Sequence, residues 1–191
     1  MYFFFDTETT GLPKNWKAPV TDVNNWPRMI QVGYIIYDQT GQPLNTKEYI
    51  IRPDGFIIPE EASNIHGVTT ERAMDEGLPL YGVLEELHAE ITKSSMLVAH
   101  NISYDENILG AEFLRENFNN IIPAKKRFCT MKSSVDYCAL PGRYGYKWPN
   151  LQELHTKLFN QRFEGAHNAL ADIKATADCF WRMKELNIIQ P

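Results

Sequence analysis

The hydrophobic pattern begins at the third residue. Phe3, Phe4 and Phe5 put apolar side chains on both faces of an extended backbone, as in a strand buried mid-sheet; a half-exposed strand would alternate. Met29 to Tyr37 (MIQVGYIIY) and Leu44 to Ile51 predict two more strands, and the short Asp38 to Pro43 link makes that pair antiparallel. Met96 to Ala99 is too short and apolar for anything but a buried fourth strand, and Arg127 to Met131 predicts a fifth. Helical spacing follows Pro79, where Leu80, Val83, Leu84, Leu87 and Ile91 form a core-facing stripe with His88 beside it at the surface. Phe56 to Thr69 (FIIPEEASNIHGVT) predicts a short helical turn broken at Gly67. Ser103 with Glu106, and Asn150 with Glu153, read as capping boxes; the second opens a helix that turns Leu151, Leu154 and Leu158 inward. Asn168 starts the last helix, which buries Leu170, Ile173, Ala177 and Phe180.

Two stretches stay irregular: Pro13 to Pro27, polar with Trp16 and Trp26, and Gly142 to Pro149 (GRYGYKWP), rich in glycine and aromatics with Arg143 and Lys147. Loops of this length are usually functional or mobile. No linker, repeat or low-complexity tract divides the chain, so 191 residues suit a single domain, 1–191. With 43% hydrophobic and 23% charged residues the composition is that of an ordinary globular protein. The expectation is a cytoplasmic protein with no membrane partner, since no apolar run approaches a span and the start lacks a signal-peptide core. Cys129, Cys138 and Cys179, odd in number and far apart, read as reduced, mostly buried thiols.

Candidate chemistry lies where strands hand over to helices. Asp6 and Glu8 are two apart on the first strand and share a face. By themselves they read either as ligands of a hard cation, which relieves the repulsion between close carboxylates, or as a cap by Asp6 of the turn at Thr9 to Gly11. Asp105 falls in the first turn of the helix after Met96 to Ala99. His167 and Asp172 would lie about 140° apart on one ideal helix. With Asn168 as the cap, His167 sits on the loop leading in and Asp172 inside the helix, so both can face one point. The net charge of −5 lacks the basic footprint usual for nucleic-acid binding. Setting aside the four acids leaves twenty acids against nineteen bases, a balance of −1, and two bound divalent ions would do the same.

FDTETTG at Phe5 to Gly11, IQVG at Ile30 to Gly33, IPEEASNIHGVT at Ile58 to Thr69, VAHNISYD at Val98 to Asp105 and HNALAD at His167 to Asp172 together resemble the DEDDh superfamily of 3′-to-5′ exonucleases, especially the proofreading-subunit type of bacterial DNA polymerase III. The resemblance covers nearly the whole chain. It implies an RNase H-like α/β fold: a mixed five-stranded sheet, its first three strands an antiparallel meander, with helices on both sides. It further implies that Asp6, Glu8, Asp105 and Asp172 bind two divalent ions, Mg²⁺ or Mn²⁺, and that His167 is the general base; the plainer reading of His167 is a capping or surface residue. By the same resemblance Thr9 and Leu12 would meet the terminal nucleotide, and Ile65 and His66 would line its pocket. For His66, His100, Asn101 and Tyr104, substrate contact and local hydrogen bonding or packing both stand. The implied reaction releases nucleoside 5′-monophosphates from 3′ ends, first of single-stranded DNA. The same reaction on RNA, and an inactive module that only binds nucleic acid or a polymerase, are the alternatives. The long tail that tethers some proofreading subunits is not in the sequence, so stand-alone action is expected.

Overall fold

The computed structural model describes residues 1–165 and 168–191. Five strands, β1 (Tyr2–Thr9), β2 (Met29–Tyr37), β3 (Pro43–Ile50), β4 (Met96–Ala99) and β5 (Lys126–Cys129), form one sheet in the order β3-β2-β1-β4-β5. The first three make an antiparallel meander, while β4 and β5 run parallel to β1. The mixed sheet and its meander are as the resemblance implied, and the central place of β1 is as the triple phenylalanine predicted.

The triple phenylalanine explains how the layers close. Phe3 and Phe5 point into one core with Val83, Leu84, Leu87 and Ile91 of α3 (Leu80–Lys93) and with Ile108 and Leu109 of α4 (Ile102–Arg115). Phe4 points the other way, into a core with Leu154 and Leu158 of α7 (Leu151–Phe159) and with Ile173, Ala177 and Phe180 of α8 (Ala169–Glu185). All three rings are essentially solvent-free. Before α3 come two short helices, α1 (Glu60–His66), ended by Gly67 at φ 76°, and α2 (Thr70–Glu76). After β5 come α5 (Thr130–Ser133), α6 (Val135–Cys138) and a small hairpin of β6 (Pro141–Gly142) and β7 (Gly145–Tyr146).

Several expectations are corrected. Ser103 and Glu106 do not form a capping box: Asn101, in a left-handed conformation, is the cap position of α4, and Glu106 pairs instead with Arg127. His88 is half-buried, its ring against Phe113 and Phe118. Leu170 is only half-buried, and Ala169 takes the fully buried place at that end of α8. The Gly142 to Pro149 stretch is not wholly irregular, since it overlaps the β6–β7 hairpin that begins at Pro141, and the fifth strand ends at Cys129 because Met131 already belongs to α5. The Asn150–Glu153 capping box is present, the three cysteines are free and buried, and among the described residues no helix is long and apolar enough to cross a membrane.

Pro13 to Pro27 is an ordered loop tied to α4. Glu112, fully buried, accepts from Arg28 Nε at 3.0 Å and from the Met29 backbone N–H at 2.8 Å. The guanidinium of Arg115 donates to the carbonyls of Val23 and Trp26, and Asn15 and Asn25 bond each other across the loop.

One glycine sets how closely α8 approaches the sheet. Gly33 of β2 lies opposite Asp6 of β1, and a Cβ built there would stand 2.5 Å from Cδ1 of buried Ile173 and 3.4 Å from Cβ of Ala169. Overpacking a filled core typically costs about 1–3 kcal/mol. Gly33→Val is therefore expected to lower unfolding stability by about that amount, measured by urea denaturation against the parent protein.

Candidate active site

Beyond Phe4 the first strand outruns its parallel neighbour, because β1 pairs with β4 only from Tyr2 to Phe4. The exposed edge of Asp6 to Thr9 has to satisfy its backbone groups elsewhere. Asp105, in the first turn of α4, does this: its Oδ1 accepts from the Thr7 backbone N–H at 3.0 Å and from Thr7 Oγ1 at 2.8 Å. Thr7 belongs to the Phe3 and Phe5 face. Asp6 and Glu8 alternate to the Phe4 face, where α8 lies. Carboxylate oxygens of Asp6, Glu8 and Asp172 all fall within 4.8 Å of one another.

Four acids from three separated segments thus share one corner of the sheet. Three meet as a cluster, and Asp105 joins through its Thr7 bonds and its charge. Burial, then the charge of Asp105, then those of Glu8 and Asp172, hold the Asp6 carboxyl well above the ordinary carboxylate range. Burial, with Asp172 and Asp105, pushes Glu8 up to about 8. Burial raises Asp105 as well, against the two Thr7 bonds that pull it down. A cluster of hard oxygen donors that resists carrying its own charge suits a divalent cation with a preference for oxygen, such as Mg²⁺ or Mn²⁺. His167, the expected general base, lies outside the described residues; Asn168 beside it caps α8 by accepting from the Ala171 N–H, as expected.

Next to the acids opens a cleft of about 660 Å³ between the end of β1, α1 and the start of α4. Thr9, Leu12, Ile65, His66, Asn101 and Tyr104 all line it, together with Glu8. Its floor is a hydrogen-bonded turn. Thr9 Oγ1 lies 2.6 Å from the Tyr104 hydroxyl, and both are 2.7 Å from the Gly11 carbonyl oxygen. Gly11 sits at φ 145°, which a side chain rarely tolerates. Leu12 and Ile65 are 73% and 61% exposed at the rim, so the cleft offers apolar contact that the protein itself leaves open. His66 accepts from the Val68 N–H through Nδ1, and burial lowers its pKa, keeping the ring neutral at pH 7.

Trp16 was not among the expected site residues. The Pro13 to Pro27 loop brings its ring to 5.7 Å from that of Tyr104 and into the cleft wall, 56% exposed. The only signal in the sequence was a tryptophan in a polar loop, without periodicity to place it. His100 turns out to be a strut outside the cleft. Its Nδ1 lies 3.0 Å from Thr130 Oγ1 and its Nε2 3.1 Å from the Pro149 carbonyl, and burial depresses its pKa to about 4.

The β3-β2-β1-β4-β5 sheet with helices on both faces and acids at the end of its central strand is an RNase H-like α/β fold. Exonuclease I of E. coli, solved with a dA16 oligonucleotide, superposes with a TM-score of 0.76 at 20% identity over 96% of this chain and 40% of its own. Residues 3–180 match the RNase T exonuclease family model, and the chain belongs to this exonuclease family. A DNA polymerase III epsilon subunit of Buchnera aphidicola (subsp. Schizaphis graminum) is 33% identical over 157 residues, 74% of this chain and 62% of that subunit. CP81 of Escherichia phage 186, named an uncharacterized exonuclease, is 28% identical over 180 residues, 91% of this chain and 82% of its own. The chain therefore spans less than two thirds of the Buchnera subunit and well under half of exonuclease I.

The raised carboxyl groups bind protons in the folded state that the unfolded chain has already released, so folding stability falls as pH rises. For Glu8 the window runs from the unfolded value near 4 to about 8. In EDTA, the melting temperature is expected to drop between pH 5 and about pH 8. In Glu8→Gln that drop should be smaller, and added Mn²⁺ should reverse it in the parent protein, both read by differential scanning calorimetry.

Proposed function

We propose that residues 1–191 act as one exonuclease domain that removes nucleoside 5′-monophosphates from the 3′ end of single-stranded DNA. The observation that carries this reading is the cluster of Asp6, Glu8 and Asp172 oxygens within 4.8 Å of one another beside an apolar, aromatic cleft. Asp6, Glu8 and Asp172 would hold divalent cations, with Asp105 completing the set; the cations, when bound, supply a more acidic water and charge stabilisation at the phosphate. What the protein's own residues do follows from their positions.

The cleft takes the terminal nucleotide. Trp16, Leu12 and Ile65 offer it apolar surface, and every base has a face to stack on such groups. The Thr9–Tyr104–Gly11 turn holds the cleft floor against the strand that carries Glu8, so a nucleotide seated there presents its 5′ phosphate to the acids. Thr7 fixes the Asp105 carboxylate through two donors, leaving its other oxygen for the site. His167 is assigned the role of general base, because imidazole is the side chain suited to take a proton from the attacking water at neutral pH. Single-stranded DNA is favoured because exonuclease I, of the same fold, was solved with dA16 and dT13 oligonucleotides.

The test is degradation of matched 5′-labelled DNA and RNA oligomers in Mn²⁺, followed on sequencing gels. The parent protein should shorten the DNA from its 3′ end, and Asp6→Asn should leave it intact. His167→Ala should slow turnover by about 10²- to 10⁴-fold while calorimetric Mn²⁺ affinity stays within a few-fold. Full activity in Asp6→Asn would remove the active-site assignment, and lost Mn²⁺ binding in His167→Ala would remove the base.

A further inference from the structure

The β6–β7 hairpin plays no part in the site described so far, yet it and the residues just after it carry the most exposed aromatic rings among the described residues. Tyr144 is 88% exposed, Tyr146 57% and Trp148 62%. Cations accompany the rings: the Arg143 guanidinium lies 5.1 Å from the centre of the Tyr144 ring, and Lys132 of α5 lies 6.0 Å from that of Trp148. Leu140 to Pro149 (LPGRYGYKWP) contains no acid, although the protein carries a net charge of −5. The ion pairs among the described residues include Lys147 with Glu153 but neither Arg143 nor Lys132. Solvated tyrosines beside unneutralised cations suit a polyanion with flat apolar bases better than they suit an apolar protein face.

Topology puts this hairpin at the catalytic edge of the sheet. Strands β1, β4 and β5 are parallel, so their C-terminal ends share one edge. Glu8 and Thr9 are at the end of β1, His100 follows β4, and Thr130 and Lys132 follow β5. His100 ties the far side together: one ring nitrogen meets Thr130 and the other the carbonyl of Pro149, which follows Trp148. The next residue, Asn101, lines the terminal-nucleotide cleft. The cleft is lined from the end of β1, α1 and the start of α4, and the hairpin leads into α7 past the His100 anchor beside α5.

We infer that Tyr144, Tyr146 and Trp148, with Arg143 and Lys132, form a second binding surface that stacks bases of the single strand upstream of the 3′-terminal nucleotide. This rests on the exonuclease reading. A strand whose last nucleotide fills the cleft and whose scissile phosphate meets the acids continues along the edge toward β5. There the rings receive bases irrespective of sequence and the cations meet phosphates. The surface holds the strand between successive cleavages without taking part in the chemistry.

The test compares two substrates in Mn²⁺: thymidine 5′-(p-nitrophenyl phosphate), which has no upstream nucleotides, and an oligothymidylate of about 12 nucleotides. Tyr144→Ala should reduce kcat/KM on the oligomer about fivefold or more, and Tyr144→Ala/Tyr146→Ala/Trp148→Ala considerably further, through KM. Hydrolysis of the nitrophenyl ester should be unchanged in both variants, which also shows that they fold. Arg143→Gln should lower the slope of log affinity against log salt by about 0.7, measured by fluorescence anisotropy of the oligomer on the non-cleaving Asp6→Asn background. Unchanged oligomer kinetics and anisotropy in the triple variant, with ester hydrolysis intact, would overturn the proposal and leave the exonuclease reading standing. So would a dimer in sedimentation that the triple variant dissolves, since the rings would then belong to self-association. Failure of the parent protein on both substrates would instead bring down the exonuclease reading, and this inference with it.

Discussion

Mutual repulsion of carboxylates is the constraint around which this fold is arranged. Ionised groups about 5 Å apart repel by about 3 kcal/mol at an effective dielectric near 20. With Asp6, Glu8 and Asp172 oxygens inside 4.8 Å, the three pairs together come to about 10 kcal/mol, as large as the whole folding stability of a typical domain. Such a cluster persists only where packing imposes it and protons or cations relieve it. Packing comes from Phe4 and Ile35 against Ile173 and Phe180, with Gly33 leaving room for α8 to settle over Asp6. Burial raises the carboxyl groups of Asp6, Glu8 and Asp105, and neighbouring charges in the cluster add to the rise at Asp6 and Glu8.

The same corner depends on an unfilled sheet edge. Because β4 pairs only with the first part of β1, the rest of that strand bonds to α4 through Asp105 and to the following turn through Thr9 and Tyr104. Strand, helix and cleft floor are therefore joined by hydrogen bonds, and Asp105 and the cleft are positioned by the same strand end. The long loop and the hairpin are attached differently. Each hangs from a polar anchor, fully buried Glu112 with Arg115 for the first and half-buried His100 for the second, and each presents tryptophan toward solvent.

Most of the framework could be read from hydrophobic runs. Met29 to Tyr37 and Met96 to Ala99 were legible to the residue, because buried strands between turn-forming residues have sharp ends. The α2 helix was not, since seven polar-rich residues with a single buried alanine carry no periodic signal. The supposed capping box at Ser103 failed for a local reason: Asn101 takes a left-handed turn that starts α4 early, so Ser103 and Glu106 are already inside the helix. His88 looked like a surface residue until Phe113 and Phe118, distant in the chain, closed over its ring.

What the chain determined by itself was the inventory: three phenylalanines that need covering on both faces, acids at the ends of elements, an asparagine cap before the last helix, and motifs whose order names a family. Those are local properties, set by the chemistry of side chains and the period of the backbone. Distance was decided only in three dimensions. That Asp172 meets Asp6 and Glu8, that Asp105 reaches the site through Thr7 and not as a member of the tight trio, and that Trp16 walls the cleft all depend on contacts between segments far apart in sequence. Such contacts follow from how the layers pack, and no repeat or spacing along one chain encodes them.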